Sequence, residues 1–185
     1  AFQSVNTTPL ATIHIDNKNV DLVLEHHYKE ARMDANSRTP SPTAERYDEN
    51  IVIRQMVAGP WLTKQEIEDA AASNVDALVI HGTGLGHLPI ENPNTDAPQN
   101  IELRDSLHQL DKPIVVVNQC IHGPVNMNVY SKGRIQQEIG LLGHGITSSP
   151  EAAVVKLHFA LSNGLDIDSV MTKNLIGEQQ QTILN

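Results

Sequence analysis

The chain has 185 residues, of which 39 % are hydrophobic and only 3 % aromatic, so aliphatic side chains must fill the core of one ordinary domain, alone or with an extension. The net charge of −9 at pH 7, with Lys and Arg scattered singly, argues against strong direct binding of nucleic acid. The single cysteine excludes an internal disulfide, and no apolar run approaches the roughly 18 residues of a membrane-spanning helix, so we expect a cytoplasmic location and no membrane partner.

The first 48 residues differ in pattern from the rest of the chain. Two short apolar runs, at residues 11–15 and 20–24, flank a polar turn and predict a β-hairpin. Residues 25–46 are polar and contain two prolines two positions apart, which disfavours a regular helix or a central strand. We therefore interpret residues 1–48 as an irregular interdomain linker or extension with a possible short hairpin.

From residue 49 onward, strand and helix patterns alternate. Apolar runs predict three strands, the last two covered on both faces, at residues 51–57, 77–80 and 113–117. Capped or one-sided apolar stretches predict five helices, at residues 64–73, 100–110, 130–138, 149–162 and 166–175. Strands that alternate with helices through short loops predict an α/β fold over residues 49–185, a three-layer open sandwich with a small parallel sheet.

A glycine-rich stretch, GTGLGH at residues 82–87, directly follows the second predicted strand of the sheet. Ligands of open α/β sheets gather at the carboxyl ends of strands. The spacing is G-x-G-x-G, and Pro89 prevents a helix from opening where a pyrophosphate would need one, so nucleotide binding is disfavoured. Two interpretations stay open: a tight turn alone, or a turn whose backbone also faces a small substrate.

The segment after the third strand, residues 118–128, is rich in Asn and Gln side chains. Such amides either bind the amide or carboxylate of a partner molecule or cap the ends of loops and helices. Cys120 lies two positions before His122, so a catalytic Cys–His pair is sterically possible, but the default expectation is a buried, unreactive thiol. His81, His87 and His122 lack acidic or Cys neighbours at ligand spacing, so we expect no metal site.

Three stretches resemble members of the asparaginase family. Residues 79–87, VIHGTGLGH, are similar to the glycine loop of its C-terminal domain. Residues 118–134, NQCIHGPVNMNVYSKGR, and residues 1–6, AFQSVN, resemble segments of the D-type subunits of archaeal glutamyl-tRNA(Gln) amidotransferases, which are asparaginase relatives. The resemblance covers nearly the whole chain, and His81 departs from it by replacing a glutamate.

The resemblance implies a Rossmann- or flavodoxin-like C-terminal domain of a longer enzyme. In the family, threonine nucleophiles of an N-terminal domain, in TGGTI and TDT motifs, attack the side-chain amide of Gln or Asn. Neither motif occurs in the 185 residues, so the expected catalytic set of this chain is empty and the chain alone is expected to be inactive. By the same resemblance His87, Gly86 and Thr83 are expected to contact the substrate, and no metal or cofactor is expected on this chain.

The resemblance also implies partners: the chain's own N-terminal domain, a second copy in a homodimer, and an amidotransferase subunit that holds Glu-tRNA(Gln) and uses ATP and Mg²⁺. Three alternatives stay open. The chain belongs to a stand-alone type I L-asparaginase, is a non-catalytic binding module, or is an unrelated nucleotide-binding α/β protein.

Overall fold

The computed structural model of the chain describes residues 5, 6, 9, 11–24, 47–175, 178 and 179. The predicted irregular segment at residues 25–46 lies outside the described residues. The division of the chain at residue 48 stays a prediction.

A small antiparallel hairpin occupies the N-terminal part, as its apolar runs predict. Strand β1 spans Ala11–Asp16, and strand β2 spans Asn19–Leu24. Residues 11–16 pair in register with residues 24–19, so Ile13 lies opposite Leu22. The apolar side chains of this face are largely exposed to solvent.

The central sheet has three parallel strands, which confirms the predicted parallel arrangement. They are β3 (Ile53–Val57), β4 (Ala77–Gly82) and β5 (Ile114–Asn118), in the order β3-β4-β5. The outer edge of β5 is not bare: Leu142 accepts a hydrogen bond from the Val116 N–H at 2.8 Å. Consecutive strands are therefore neighbours, and their carboxyl ends lie along one edge of the sheet.

Within the described residues, five α-helices flank the sheet, each within a few residues of its predicted position. They are α1 (Lys64–Ala72), α2 (Pro98–Gln109), α3 (Ser131–Glu138), α4 (Pro150–Ser162) and α5 (Ile167–Thr172). Helix α1 begins with the predicted capping box, in which the Glu66 N–H donates to the Thr63 hydroxyl and the Thr63 N–H donates to the Glu66 carboxylate. Among the described residues, no helix is long and apolar enough to cross a membrane.

The strand side chains point alternately into two separate cores. Leu78 and Ile80 of β4 pack on one face with residues of α1 and α2, whereas Val79 packs on the other face with Leu157 of α4. Both faces of the sheet are therefore covered, which confirms the three-layer sandwich.

A buried lysine joins α4 to the C-terminal segment. The Lys156 ammonium, 7 % exposed, lies 2.7 Å from the Glu178 carboxylate and also donates to the carbonyl oxygens of Met171 (3.3 Å) and Lys173 (2.6 Å). The Glu178 side chain is 10 % exposed and also accepts the Leu175 N–H. A charge buried in this way is tolerated because every donor direction meets an oxygen.

Candidate functional site

The glycine stretch after β4 forms a tight, closed turn. The Thr83 N–H donates to the His87 carbonyl at 2.9 Å, and the His87 N–H donates to the Thr83 carbonyl at 2.8 Å. The Thr83 hydroxyl adds a third bond to the same His87 carbonyl at 3.0 Å. The tight turn proposed from the glycine spacing is thus confirmed, and residues 83–87 are called the glycine turn below.

Gly86 is required by the backbone of this turn. Its φ of +86° lies in the region that L side chains rarely adopt, and an added Cβ would lie 2.6 Å from a Val125 methyl carbon. Nearby, the Leu85 carbonyl accepts the Asn126 N–H at 2.9 Å. The glycine turn therefore packs directly against the loop that follows β5.

His87 is buried at the end of the turn. Its side chain is 3 % exposed, and its ring meets the edge of the Tyr130 ring at a centroid distance of 5.3 Å and an angle of 71°. Its Nε2 atom has no hydrogen-bond partner among the described residues. Since buried polar atoms are nearly always paired, this nitrogen is a candidate for contact with a bound molecule.

The surroundings of His87 favour its neutral imidazole. Burial lowers the pKa of His87 below its ordinary value, and the nearby positive charge of Lys132 lowers it further. The Glu91 carboxylate opposes both effects, and it accepts a hydrogen bond from the Ser131 hydroxyl. A neutral imidazole keeps one ring nitrogen as a donor and the other as an acceptor.

Gln136 of α3 holds the glycine turn from behind. This side chain is fully buried; its Nε2 donates to the Gly86 carbonyl at 3.0 Å, and its Oε1 accepts the Leu88 N–H at 2.8 Å. Sequence reasoning missed this residue because a glutamine among polar neighbours on a short helix resembles a solvent-facing position. Only its spacing of three residues from Gly133 could have indicated that it shares the helix face turned to the core.

The predicted substrate-binding residues Thr83, Gly86 and His87 thus lie together in one turn. A cavity of about 750 Å³ opens beside it, against the N-terminal ends of α1 and α2. Thr83 lines this cavity and is exposed. The charged side chains that line it are of both signs: Lys64, Lys132, Glu68 and Glu102. Gly86 and His87 are buried behind that surface, so their contact with a substrate stays a prediction.

The amide-rich segment after β5 ties the loops together. The Gln119 side-chain amide donates to the carbonyl oxygens of Ala58 and His81, both at 2.7 Å, and so joins the ends of all three strands. The Asn6 amide donates to the Ile121 (3.0 Å) and Thr147 (2.9 Å) carbonyls. The interpretation that the amides of residues 118–128 cap loops is confirmed for Gln119.

A second, smaller cavity lies beside the ends of β4 and β5. It encloses about 380 Å³ and is lined by residues that include His81, Cys120, Ser148 and Glu151. The His81 Nε2 lies 3.1 Å from the Gln55 side-chain oxygen. Burial lowers the pKa of His81, and the Glu151 carboxylate partly offsets this effect.

The expectation of a buried Cys120 is wrong. The thiol belongs to an exposed residue, because the strand ends at Asn118 and its side-chain oxygen accepts the Cys120 N–H at 3.0 Å, which turns the chain outward. Within the described ranges, no three His, Cys, Asp or Glu side chains are grouped so that they could hold a metal ion.

Residues 52–172, which contain the parallel sheet and the glycine turn, match the sequence model of the glutaminase/asparaginase C-terminal domain. The chain therefore belongs to the glutaminase/asparaginase family and carries its C-terminal domain.

Within the family, the chain is similar to the D-type glutamyl-tRNA(Gln) amidotransferase subunit of Methanobrevibacter smithii, with 33 % identity over 96 % of this chain and 37 % of that protein. It is 31 % identical to L-asparaginase 1 of Escherichia coli over 96 % of this chain and 48 % of that enzyme. The chain thus spans between about a third and a half of the length of these relatives.

The thermostable L-asparaginase from Thermococcus kodakarensis shares the fold, with a TM-score of 0.68 and 24 % identity over 98 % of this chain and 50 % of that one. These matches confirm both the resemblance and the fold class that it implied.

Proposed function

We propose that the chain is the C-terminal domain of a glutaminase/asparaginase subunit that releases ammonia from Gln or Asn for the tRNA-dependent amidation of Glu-tRNA(Gln). The observation that carries this proposal is the similarity to the D-type amidotransferase subunits, which extends over 96 % of the chain. That similarity includes the two loops that meet at His87 and Tyr130.

In this proposal the nucleophile lies outside the chain. Threonine attack on the side-chain amide would release ammonia and leave an acyl-enzyme, which water hydrolyses. The chain itself supplies the glycine turn. Thr83 lines the cavity, and Gly86 allows the positive φ of the turn. His87 supplies the Nε2 atom, which has no hydrogen-bond partner among the described residues.

The proposed partners follow from the same relation. They are an N-terminal domain with the threonines, a second copy of the same protein, and an amidotransferase subunit that binds Glu-tRNA(Gln). ATP and Mg²⁺ would act on that partner subunit. The acidic charge of this chain is consistent with leaving the tRNA to the partner.

The first experiment measures ammonia release from Asn and Gln by the 185-residue chain alone and by the protein encoded by its full reading frame. We expect release only from the full reading frame. Release by the chain alone that persists through purification would contradict the proposal and would make the exposed Cys120 a candidate nucleophile.

Replacement of His87 tests the site itself. In the full reading frame, His87→Ala should raise KM about tenfold or more and lower kcat less, if His87 contributes to ground-state and transition-state binding alike. The matched control is His122→Ala, on an exposed residue of the neighbouring loop, which should leave both constants unchanged. Unchanged kinetics in His87→Ala would remove this residue from the site.

A stand-alone L-asparaginase is the second candidate function, favoured by the 31 % identity to the E. coli enzyme. Formation of Gln-tRNA(Gln) separates the two. The amidotransferase proposal requires that the full-length protein, with a partner subunit, ATP and Mg²⁺, converts Glu-tRNA(Gln) at the expense of Gln. Asparagine hydrolysis by the full-length protein, with no conversion of Glu-tRNA(Gln) when the partner subunit, ATP and Mg²⁺ are present, would instead support the second candidate.

A further inference from the structure

Gln136 is the buried amide that contacts the glycine turn. Gln136 is fully buried. A buried amide without hydrogen-bond partners destabilises a protein, so the partners of this side chain are informative. Its two hydrogen bonds go to the Gly86 carbonyl and the Leu88 N–H, which lie immediately before and after His87. An apolar side chain of equal size would fill the space but leave both backbone groups unpaired.

Helix α3 reaches the turn because of a glycine. A Cβ on Gly133 would collide with the Met127 carbonyl oxygen, at a separation that no side chain tolerates. Gln136 lies three residues further along the same helix face, so the close approach at Gly133 carries its amide to the turn. The residue that immediately precedes α3 is Tyr130, whose ring makes a T-shaped contact with the His87 ring. One short segment thus contacts the His87 ring and bonds to the backbone on either side of it.

The His87 backbone is held on all sides. Its N–H and carbonyl both bond to Thr83, and Gln136 fixes the peptide groups on either side. The ring, in contrast, has an unpartnered Nε2 among the described residues. A rigid backbone with one unsatisfied ring nitrogen is the arrangement expected of a group aimed in advance at a ligand.

We propose that Gln136 is a positioning residue that aims His87 at the amino-acid substrate of this site. The inference rests on the proposed function, because His87 must be the group that meets the substrate. Gln136 itself touches the turn and not the substrate.

The test uses the 185-residue chain and NMR of the His87 ring and of backbone amides. In Gln136→Met the Leu88 amide loses its acceptor, so its hydrogen exchange should become about tenfold faster. The ring should gain access to water, and its pKa should rise towards the ordinary value of 6.5. The Val116 amide, which donates to the Leu142 carbonyl at the outer edge of β5, should exchange at the same rate as in the unmodified chain.

The matched control is Gln137→Met, the same change at the next residue of α3. Gln137 is exposed and bonds to Met127 and Asn128 instead of the glycine turn. This variant should leave the Leu88 amide and the His87 titration unchanged. If both variants instead speed up hydrogen exchange of the Leu88 amide alike, the cause is a general destabilisation of α3. That outcome would overturn a specific role for Gln136.

Gln136→Glu supplies a second test within one protein. A protonated carboxyl group offers one donor and one acceptor and can replace both amide hydrogen bonds, whereas a carboxylate can only accept. Burial raises the pKa of such a carboxyl group. The carboxylate still accepts the Leu88 N–H but cannot donate to the Gly86 carbonyl, so the ¹³C chemical shift of that carbonyl should change with pH in Gln136→Glu and approach its value in the unmodified chain at low pH. Gln136→Met should show no such return.

The results separate the two proposals. If Leu88 exchange and the His87 titration are unchanged in Gln136→Met, the positioning role is refuted, whatever the enzyme does. If Gln136→Met does not fold, the pH dependence of Gln136→Glu decides the question alone, and its absence refutes the role. If the NMR results are as expected but His87→Ala leaves ammonia release unchanged in the full reading frame, the proposed site fails instead.

Discussion

Removal of the buried Lys156 ammonium should strongly destabilise the chain. Lys156→Met keeps an unbranched apolar side chain of similar length. It removes the ammonium group that pairs with Glu178 and donates to two carbonyl oxygens. The Glu178 carboxylate would then stay at 10 % exposure without its cation, while the Leu175 N–H, at 3.1–3.2 Å, still donates to it. Loss of one partner from a buried ion pair typically costs about 3–5 kcal/mol.

We expect about 3 kcal/mol, the lower end of that range, because the Glu178 carboxylate keeps the Leu175 N–H as a donor. With a urea m-value of about 2 kcal/mol per molar, the unfolding midpoint should fall by about 1.5 M. The assay is urea unfolding followed by far-UV circular dichroism.

Two further variants decide whether the lost ion pair is the cause. Lys64→Met removes an exposed i,i+4 pair with Glu68 and should change the free energy of unfolding by no more than about 0.5 kcal/mol. The double variant Lys156→Met/Glu178→Leu replaces the buried pair by apolar groups and should recover most of the loss. A midpoint for Lys156→Met within about 0.3 M of the unmodified chain would refute the expected cost of removing the ammonium from beside the Glu178 carboxylate.

Two other predictions concern Gly133 and Cys120. Helix propensity alone would make Gly133→Ala more stable by about 1 kcal/mol, but the contact with the Met127 carbonyl should reverse the sign and cost about 1–3 kcal/mol, so a raised thermal midpoint would contradict the close approach of α3. Cys120 should react with a thiol reagent at one equivalent per chain without denaturant, and labelling that requires unfolding would show that the thiol is not exposed.

The regular elements of the sheet could be predicted because each has a strong local signal. The apolar run at residues 77–80 predicts a strand buried on both faces, and the structure has a strand at Ala77–Gly82 in which Leu78 and Val79 point into different cores. Thr63 and Glu66 predict the start of α1, since a capping box needs only residues close in sequence. The resemblance then extended these local signals to a family fold.

The buried polar contacts between distant parts of the chain could not be predicted in this way. Gln136 and Lys156 lie at positions whose residue types usually face solvent, and their partners lie 50 and 22 positions away, at Gly86 and Glu178. The prediction for Cys120 was wrong for the opposite reason. Cysteine is usually buried, but here the Cys120 N–H donates to the Asn118 side chain, and the chain turns outward. Sequence periodicity indicates which face of a helix or strand is apolar. It does not indicate which polar side chain forms a hydrogen bond with a distant loop.

The contacts of Asn6 have a consequence for the order in which the chain folds. Its amide reaches carbonyl groups 115 and 141 residues further along the sequence, at Ile121 and Thr147. Closing loops of this length costs conformational entropy before the new hydrogen bonds can form. The connections between β3, β4 and β5 are much shorter, so the sheet can form at a lower entropic cost. We therefore expect Asn6 to dock after the sheet has formed, so that its hydrogen bonds slow the departure from the native state and leave the speed of folding unchanged.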